Sequence, residues 1–184
     1  MLIQIDTNLR LELTSVKHAA PLYSAIEANR LHLSQFLPWV PGMQTEEDLL
    51  SYIKNCEALY QQKKEVSFVI FLRETPVGRI GLHHINPINK SASIGYWLVK
   101  NEEGQGIITR SCKALINYGF QVLKLHRVEI KAATANSKSQ AIPERLHFRK
   151  EGILHQAEWV NNECLDLFLY VMLAGQWTEG VAAR

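Results

Sequence analysis

Apolar and polar positions change their period several times along the chain, and each change marks an expected element. Leu9, Leu11 and Leu13 alternate with Arg10 and Glu12, the period of a half-buried strand. Leu22, Ala25, Ile26 and the stretch from Asn29 to Leu33 then fall on one helical stripe. Thr45, with Asp48 three residues on, has the form of a capping box and predicts a second helix through Leu49, Leu50 and Ile53. Residues 67–72, rich in Phe and β-branched side chains, and residues 77–85 read as a hairpin turning at Glu74-Thr75-Pro76.

After the loop Asn86-Pro87-Ile88-Asn89-Lys90, the run Ser93-Ile94-Gly95-Tyr96-Trp97-Leu98-Val99 is apolar enough for a buried strand. Asn101-Glu102-Glu103-Gly104-Gln105-Gly106 follows, and then Ile108, Cys112, Leu115, Ile116, Phe120 and Leu123 recur at helical spacing. This is strand, glycine turn, amphipathic helix. A strand over 127–132, a short helix from Ser137 to about Leu146, and strands near 153–160 and 165–173 joined at Asn161-Asn162 complete the pattern. The order is mixed α/β with short connections. No repeat, low-complexity run or Gly/Ser linker divides it, so one domain over 1–184 is expected, with a C-terminal tail from about 174.

Composition narrows the class. A chain of 184 residues, 47% hydrophobic and 21% charged, buries roughly 70% of its unfolded surface without staples, which excludes intrinsic disorder. With 20 Lys+Arg against 18 Asp+Glu there is no strong positive field, and no nucleic-acid partner is expected. Cys56, Cys112 and Cys164 are odd in number and far apart, with no Cys-x-x-Cys pair or zinc-ligand spacing. No metal and no disulfide framework is expected. No leader pattern stands at the N-terminus and no apolar stretch approaches the roughly 18–20 residues that span a bilayer, so a cytoplasmic location away from membranes is expected.

The glycine turn is the first feature with chemical content. A helix N-terminus offers unpaired N–H groups and about half a positive charge, and adjacent glycines let a phosphate approach the backbone. A tight turn before a helix is the plainer alternative. Thr109 stands where a third glycine would complete a dinucleotide-binding pattern, and no Gly-Lys-Ser/Thr of a P-loop is present.

Taken in order, several blocks resemble the GCN5-related N-acetyltransferases (GNAT), and within them the RimL/RimJ type that acetylates the N-termini of ribosomal proteins. They are Asn86 to Lys90, Ile94-Gly95-Tyr96-Trp97-Leu98, Gly104-Gln105-Gly106-Ile107, Leu146-His147-Phe148 followed by Glu151-Gly152, and Gln156-Ala157-Glu158. The resemblance implies an α/β fold with a mixed central sheet, flanking helices and a splayed pair of parallel strands that holds acetyl-CoA. It places the pyrophosphate on Glu103, Gly104, Gln105, Gly106, Ile107, Ile108 and Thr109. Glu103 stands where Gln or Arg is usual and Ile108 where a small residue is usual, and Glu103 is expected to point to solvent. Trp97, Leu98 and Val99 are expected to pair through their backbone with the pantetheine amides, and Asn136 to bind the same arm. As alternatives, Tyr96 and Trp97 are core aromatics and Asn136 is a helix cap.

Acetyl transfer needs a neutral amine and benefits from a proton donor for the leaving thiolate. The resemblance implies Glu158 as the base and Ser139 as the donor, the acetyl group passing directly to the amine without an acyl-enzyme. Without it, Glu158 reads as a strand glutamate facing water, and Ser137 or Ser139 as a cap. Cys112 falls on the apolar helix stripe, and Cys164 has no triad. Phe36-Leu37-Pro38-Trp39-Val40-Pro41 is an apolar loop that, by the resemblance, helps wall the acceptor groove, with Trp39 as its lining residue; it equally suits a packed connection or a homodimer contact. The implied acceptor is a protein N-terminus, on a ribosomal protein. A small amine, or a CoA-binding regulatory module without catalysis, are the other readings.

Overall fold

The computed structural model describes residues 1–178. In chain order the elements are β1 (Leu2–Gln4), β2 (Leu9–Leu13), α1 (Ala19–Ala28), α2 (Arg30–Leu33), α3 (Glu46–Gln61), β3 (Val66–Leu72), β4 (Thr75–Asn86), β5 (Ser91–Leu98), α4 (Ile107–Gln121), β6 (Arg127–Ala133), α5 (Ser137–Arg145), β7 (Arg149–Val160) and β8 (Glu163–Leu173). The strands form one sheet in the order β1-β2-β3-β4-β5-β6-β8-β7, antiparallel except where β5 meets β6. The expected mixed sheet with flanking helices is observed.

Two apolar layers fix which face is which. β3 is buried on both sides, and its alternate residues divide cleanly: Val66, Phe68 and Ile70 join the core under α4, whereas Val69 and Phe71 join the core under α1 and α3. β5 divides in the same way. Ile94, Tyr96 and Leu98 lie on the α4 face and Trp97 on the α1/α3 face, where it packs against Trp39 with ring centroids 6.2 Å apart. On α4 the stripe Ile107, Ile108, Cys112, Leu115 and Ile116 is buried against the sheet. Ile108 and Cys112 are core residues.

Several boundaries differ from those the periodicity predicts. The stripe from Leu22 to Leu33 is broken at Asn29, whose side chain donates to the Ala25 carbonyl at 2.9 Å and accepts the Lys100 N–H at 3.0 Å. A polar side chain that competes with the helix backbone ends the helix and ties it to the loop after β5. The β3–β4 turn is Arg73-Glu74, with Arg73 at φ 55°, and Pro76 lies inside β4 beside a register shift between Ile70 and Phe71, where a missing N–H is tolerated. β7 begins at Arg149 rather than near 153, and β1 carried no pattern long enough to read. The expected capping box is present: Thr45 Oγ1 accepts the Asp48 N–H at 3.1 Å and Asp48 accepts the Thr45 N–H at 2.9 Å. Asn161 and Asn162, at φ 51° and 64°, make the tight turn between β7 and β8. Of the expected tail, the turn Ala174–Gln176 leads to Trp177, which is buried and donates from Nε1 to Asn117 on α4 at 2.6 Å. Residues 179–184 lie outside the described residues.

The parallel pair sets the site. β5 and β6 are in register only from Ser91 opposite Arg127 to Ile94 opposite Ile130, although the strands continue to Leu98 and Ala133. Beyond Ile94 the sheet is split.

Candidate active site

The Val99 N–H donates to the Val77 carbonyl at 2.8 Å, in line with the β4–β5 register that pairs Arg79 with Trp97. Since backbone groups alternate along a strand, those of Val99, Trp97 and Gly95 face β4, and those of Tyr96 and Leu98 face the split. This corrects the expectation that Trp97, Leu98 and Val99 together present their backbone there. Of the three only Leu98 does, and Tyr96 supplies the second position.

Next to the split stands the N-terminus of α4. Gly104 and Gly106 have φ 78° and 70°, the left-handed region open to glycine, and no atom lies within 4 Å of the position a Cβ would take on either. The first helical bond runs from the Arg110 N–H to the Gly106 carbonyl at 3.0 Å, so the amides of Ile107, Ile108 and Thr109 have no carbonyl of their own helix to meet. No acidic residue stands in that first turn. Arg145 on α5 reaches Thr109 Oγ1 at 3.2 Å and brings a guanidinium beside it. The result is an anion cradle of backbone dipoles with one cation at its rim.

A groove of about 1500 Å³ joins cradle and split. It brings together Trp97, Leu98, Glu103, Gly104, Gln105, Gly106, Ile107, Ile108, Thr109, Asn136 and Ser139 from the sequence-predicted set. Val99, Trp39 and Glu158 are not among its lining residues. Glu103 does not face open solvent as expected. Its carboxylate bridges the two walls, meeting Lys138 on α5 and, at 3.1 Å, His32 on α2. Lys138 Nζ and His32 Nε2 hold it, and its side chain is only 25% exposed.

At the start of α5, Asn136 Oδ1 accepts the Ser139 N–H at 3.0 Å, the N-cap geometry. The Tyr96 hydroxyl lies 3.1 Å from both the carbonyl oxygen and the Oγ of Ser139. Desolvation, added to by the neighbouring Cys112, pushes the Tyr96 phenol well above its usual range, so it remains a protonated donor. Both aromatics of the pair line the groove; Tyr96 turns its hydroxyl to Ser139, and Trp97 is buried in the core under α1 and α3.

Glu158 stands on the other side of the sheet. Val128, Ile130 and Ala132 of β6 and Phe168, Tyr170 and Met172 of β8 pack on the α4 face, so Lys131 and Leu165 point the other way, and Glu158 pairs with Leu165. Burial raises the Glu158 carboxyl above its ordinary range, against a smaller opposing pull from Lys131. A bulge immediately precedes it: His155, Gln156 and Ala157 are crowded against Asp166, whose carboxylate accepts the Gln156 N–H at 2.8 Å and meets His155 Nδ1 at 2.9 Å. Such bulges re-aim the side chains next to them. Asn161 in the following turn donates to the Ser34 carbonyl at 2.8 Å, joining this hairpin to the loop that carries Trp39. Trp39, packed on Trp97, shares the face of Glu158.

Sequence reasoning passed over Tyr96, His32, Lys138 and Asp166. Pro143 inside the α5 pattern was the available signal for Tyr96, because proline withholds an N–H from the carbonyl four residues before it, that of Ser139. The ion pairs of Glu103 join distant segments and leave no local pattern.

Residues 8–149 match the family described as acetyltransferase (GNAT) domain. The ribosomal-protein-serine acetyltransferase of Escherichia coli (strain K12) is 36% identical over 171 residues, which covers 93% of this chain and 96% of that protein. The putative ribosomal N-acetyltransferase YdaF of Bacillus subtilis (strain 168) is 32% identical, over 95% of this chain and 96% of the other. Among solved structures, RimL, described as a ribosomal L7/L12 alpha-N-protein acetyltransferase in complex with coenzyme A, superposes with a TM-score of 0.91 at 30% identity, covering 94% of this chain and 98% of that one.

Proposed function

The chain belongs to the GNAT acetyltransferase family, and on that premise we propose that it transfers the acetyl group of acetyl-CoA to the α-amino group of a protein N-terminus, with the N-terminal serine or alanine of a ribosomal protein as the acceptor class. One observation carries the reading: the sheet splits between β5 and β6 beside an anion cradle at the N-terminus of α4. Glu158, half-buried on β7 and on the sheet face away from α4, is the base we assign to the acceptor side. The full-length similarity to the E. coli ribosomal-protein-serine acetyltransferase supports the acceptor.

The residues present fit the cofactor. Acetyl-CoA, when bound, supplies an acetyl group activated as a thioester. The amides of residues 104–109 hold its pyrophosphate, and the freed backbone groups of Tyr96 and Leu98 meet the amides of its pantetheine arm. Asn136 keeps its side-chain N–H groups for the arm while its oxygen caps α5. Glu158 takes the proton of the acceptor ammonium. A free α-amino group has a pKa of about 7.7–8.0, so little base strength is needed, and a carboxylate raised by burial has more than an exposed one. Ser139 gives its hydroxyl hydrogen bond to the departing sulfur. No cysteine takes part: Cys112 is fully enclosed and burial raises its thiol far above the range in which it would be nucleophilic.

Among the described residues no helix is long and apolar enough to cross a membrane. Three free cysteines fit a reducing cytoplasm, where ribosomal proteins are made.

An acceptor panel tests the reading: thiol release from acetyl-CoA is followed with peptides starting in Ser or Ala, with spermidine and with an aminoglycoside. Preference for the peptides supports it. Preference for a small amine moves the enzyme to that class, and CoA binding without turnover on any acceptor makes it a regulatory module.

A further inference from the structure

We propose that Tyr96 is a positioning residue for Ser139, fixing the serine hydroxyl so that its proton is aimed into the split. The inference rests on the reading of Ser139 as hydrogen-bond donor to the departing sulfur. Three contacts hold this serine, and two of them are made by one tyrosine hydroxyl. Its N–H is held by Asn136 Oδ1 at 3.0 Å, and its carbonyl oxygen and Oγ both lie 3.1 Å from Tyr96 Oη.

The carbonyl contact has a cause in the sequence. Pro143 lies four residues after Ser139 and has no N–H, so in α5 the Ser139 carbonyl loses the partner that any other residue at 143 would supply. The Tyr96 hydroxyl takes that place from outside the helix. Tyr96 itself sits on β5 just beyond Ile94, where the ladder to β6 has ended. Across the opening its side chain links β5 to α5, the helix that follows β6, where lower in the sheet ladder bonds link β5 to β6 directly.

The phenol has one proton and faces two acceptors on one residue. Given to the carbonyl, it leaves Oη to receive the serine's own proton. Given to Oγ, it occupies a lone pair there, and the serine proton must point away from Tyr96. The second arrangement readies Ser139 to donate and gives up the bond to the Ser139 carbonyl, which only the first arrangement makes. No proton changes owner between tyrosine and serine in this account. Tyr96 determines direction, and its phenol remains protonated because of its enclosure.

The test compares Tyr96→Phe, Ser139→Ala and the double variant of the full-length enzyme, measuring kcat, the KM for acetyl-CoA and thermal unfolding. Ser139→Ala is expected to lower kcat by about tenfold, the loss of one hydrogen bond to a charged leaving group. Tyr96→Phe is expected to lower kcat by a similar factor with KM little changed, and the double variant to be no slower than Ser139→Ala. A tyrosine that serves only packing would instead lower kcat further in the Ser139→Ala background, and that multiplicative result overturns the proposal. If Ser139→Ala retains full kcat, the assignment of Ser139 itself falls and takes this inference with it. If Ser139→Ala is slow and Tyr96→Phe is not, only the inference falls. Should Tyr96→Phe fold poorly, adding Pro143→Ala returns a backbone N–H to the Ser139 carbonyl; stability is then expected to recover while kcat remains low, and recovery of kcat with stability would overturn the proposal.

Discussion

The backbone N–H of Ser139 donates to Asn136 Oδ1 at 3.0 Å, so the residue that starts α5 also lines the groove. The oxygen serves the fold and the nitrogen is left for a ligand, which separates two effects of substitution. Asn136→Ala is expected to cost about 1 kcal/mol of stability through loss of the cap. Asn136→Asp keeps the accepting oxygen and with it the stability, but has no N–H to donate. Both variants are expected to raise the KM for acetyl-CoA several-fold, and thermal unfolding beside steady-state kinetics distinguishes them.

Glu103 places a negative charge next to the anion cradle, restrained by Lys138 and His32. Glu103→Gln removes the charge and frees Lys138. The KM for acetyl-CoA is expected to fall by about threefold at low ionic strength, with the gain shrinking as salt screens it. A rise in KM would mean that the bridge holds the groove open.

Away from the site, Glu12 on β2 accepts hydrogen bonds from Lys17 Nζ at 2.9 Å, Arg10 Nε at 3.0 Å and His18 Nε2 at 3.3 Å. His18 takes the Ser15 N–H on Nδ1 at 3.1 Å, which leaves a proton on Nε2 for Glu12, and burial pushes its imidazole below the ordinary range. With Lys17 as the largest cause, the Glu12 carboxyl is held down from 4.5 to about 2. A depressed acid contributes stability above its unfolded pKa and loses it as pH falls through the folded one. The contribution, on the order of 2–3 kcal/mol, is therefore present at pH 6 and lost between about 4.5 and 2. Denaturant unfolding of Glu12→Gln and the parent protein is expected to differ most at pH 6 and to converge toward pH 2.

Burial raises the Glu158 carboxyl, so the acid limb of kcat/KM is expected above the usual carboxylate range. Glu158→Gln keeps the shape and removes the base. A rate loss of about a hundredfold is expected, together with disappearance of that limb from the pH profile.

Much of this could be read along the chain because the signals are local. A capping box at Thr45, the two asparagines of a tight turn and the glycines before α4 each act within a few residues, and all stand where periodicity and turn chemistry put them. The split could not be derived from β5 or β6 alone; the resemblance to a family supplied it. What escaped was relational. Asn29 ends α1 because Lys100, 71 positions away, needs an acceptor, and the backbone direction of Trp97 and Val99 depends on register with β4. Tyr96 looked like one more core aromatic, since nothing near it in sequence says that Pro143 has left a carbonyl open.

The central claim is transfer to an α-amine through the split. Its most direct measurement maps the acetyl group by mass spectrometry after incubating the enzyme and acetyl-CoA with one peptide in two forms, each carrying an internal lysine: one with a free N-terminal serine, the other with that terminus blocked. The account predicts acetyl on the serine α-amine of the first peptide and no modification of the second. Acetyl on the lysine of both peptides, or on neither while spermidine is acetylated, would contradict it.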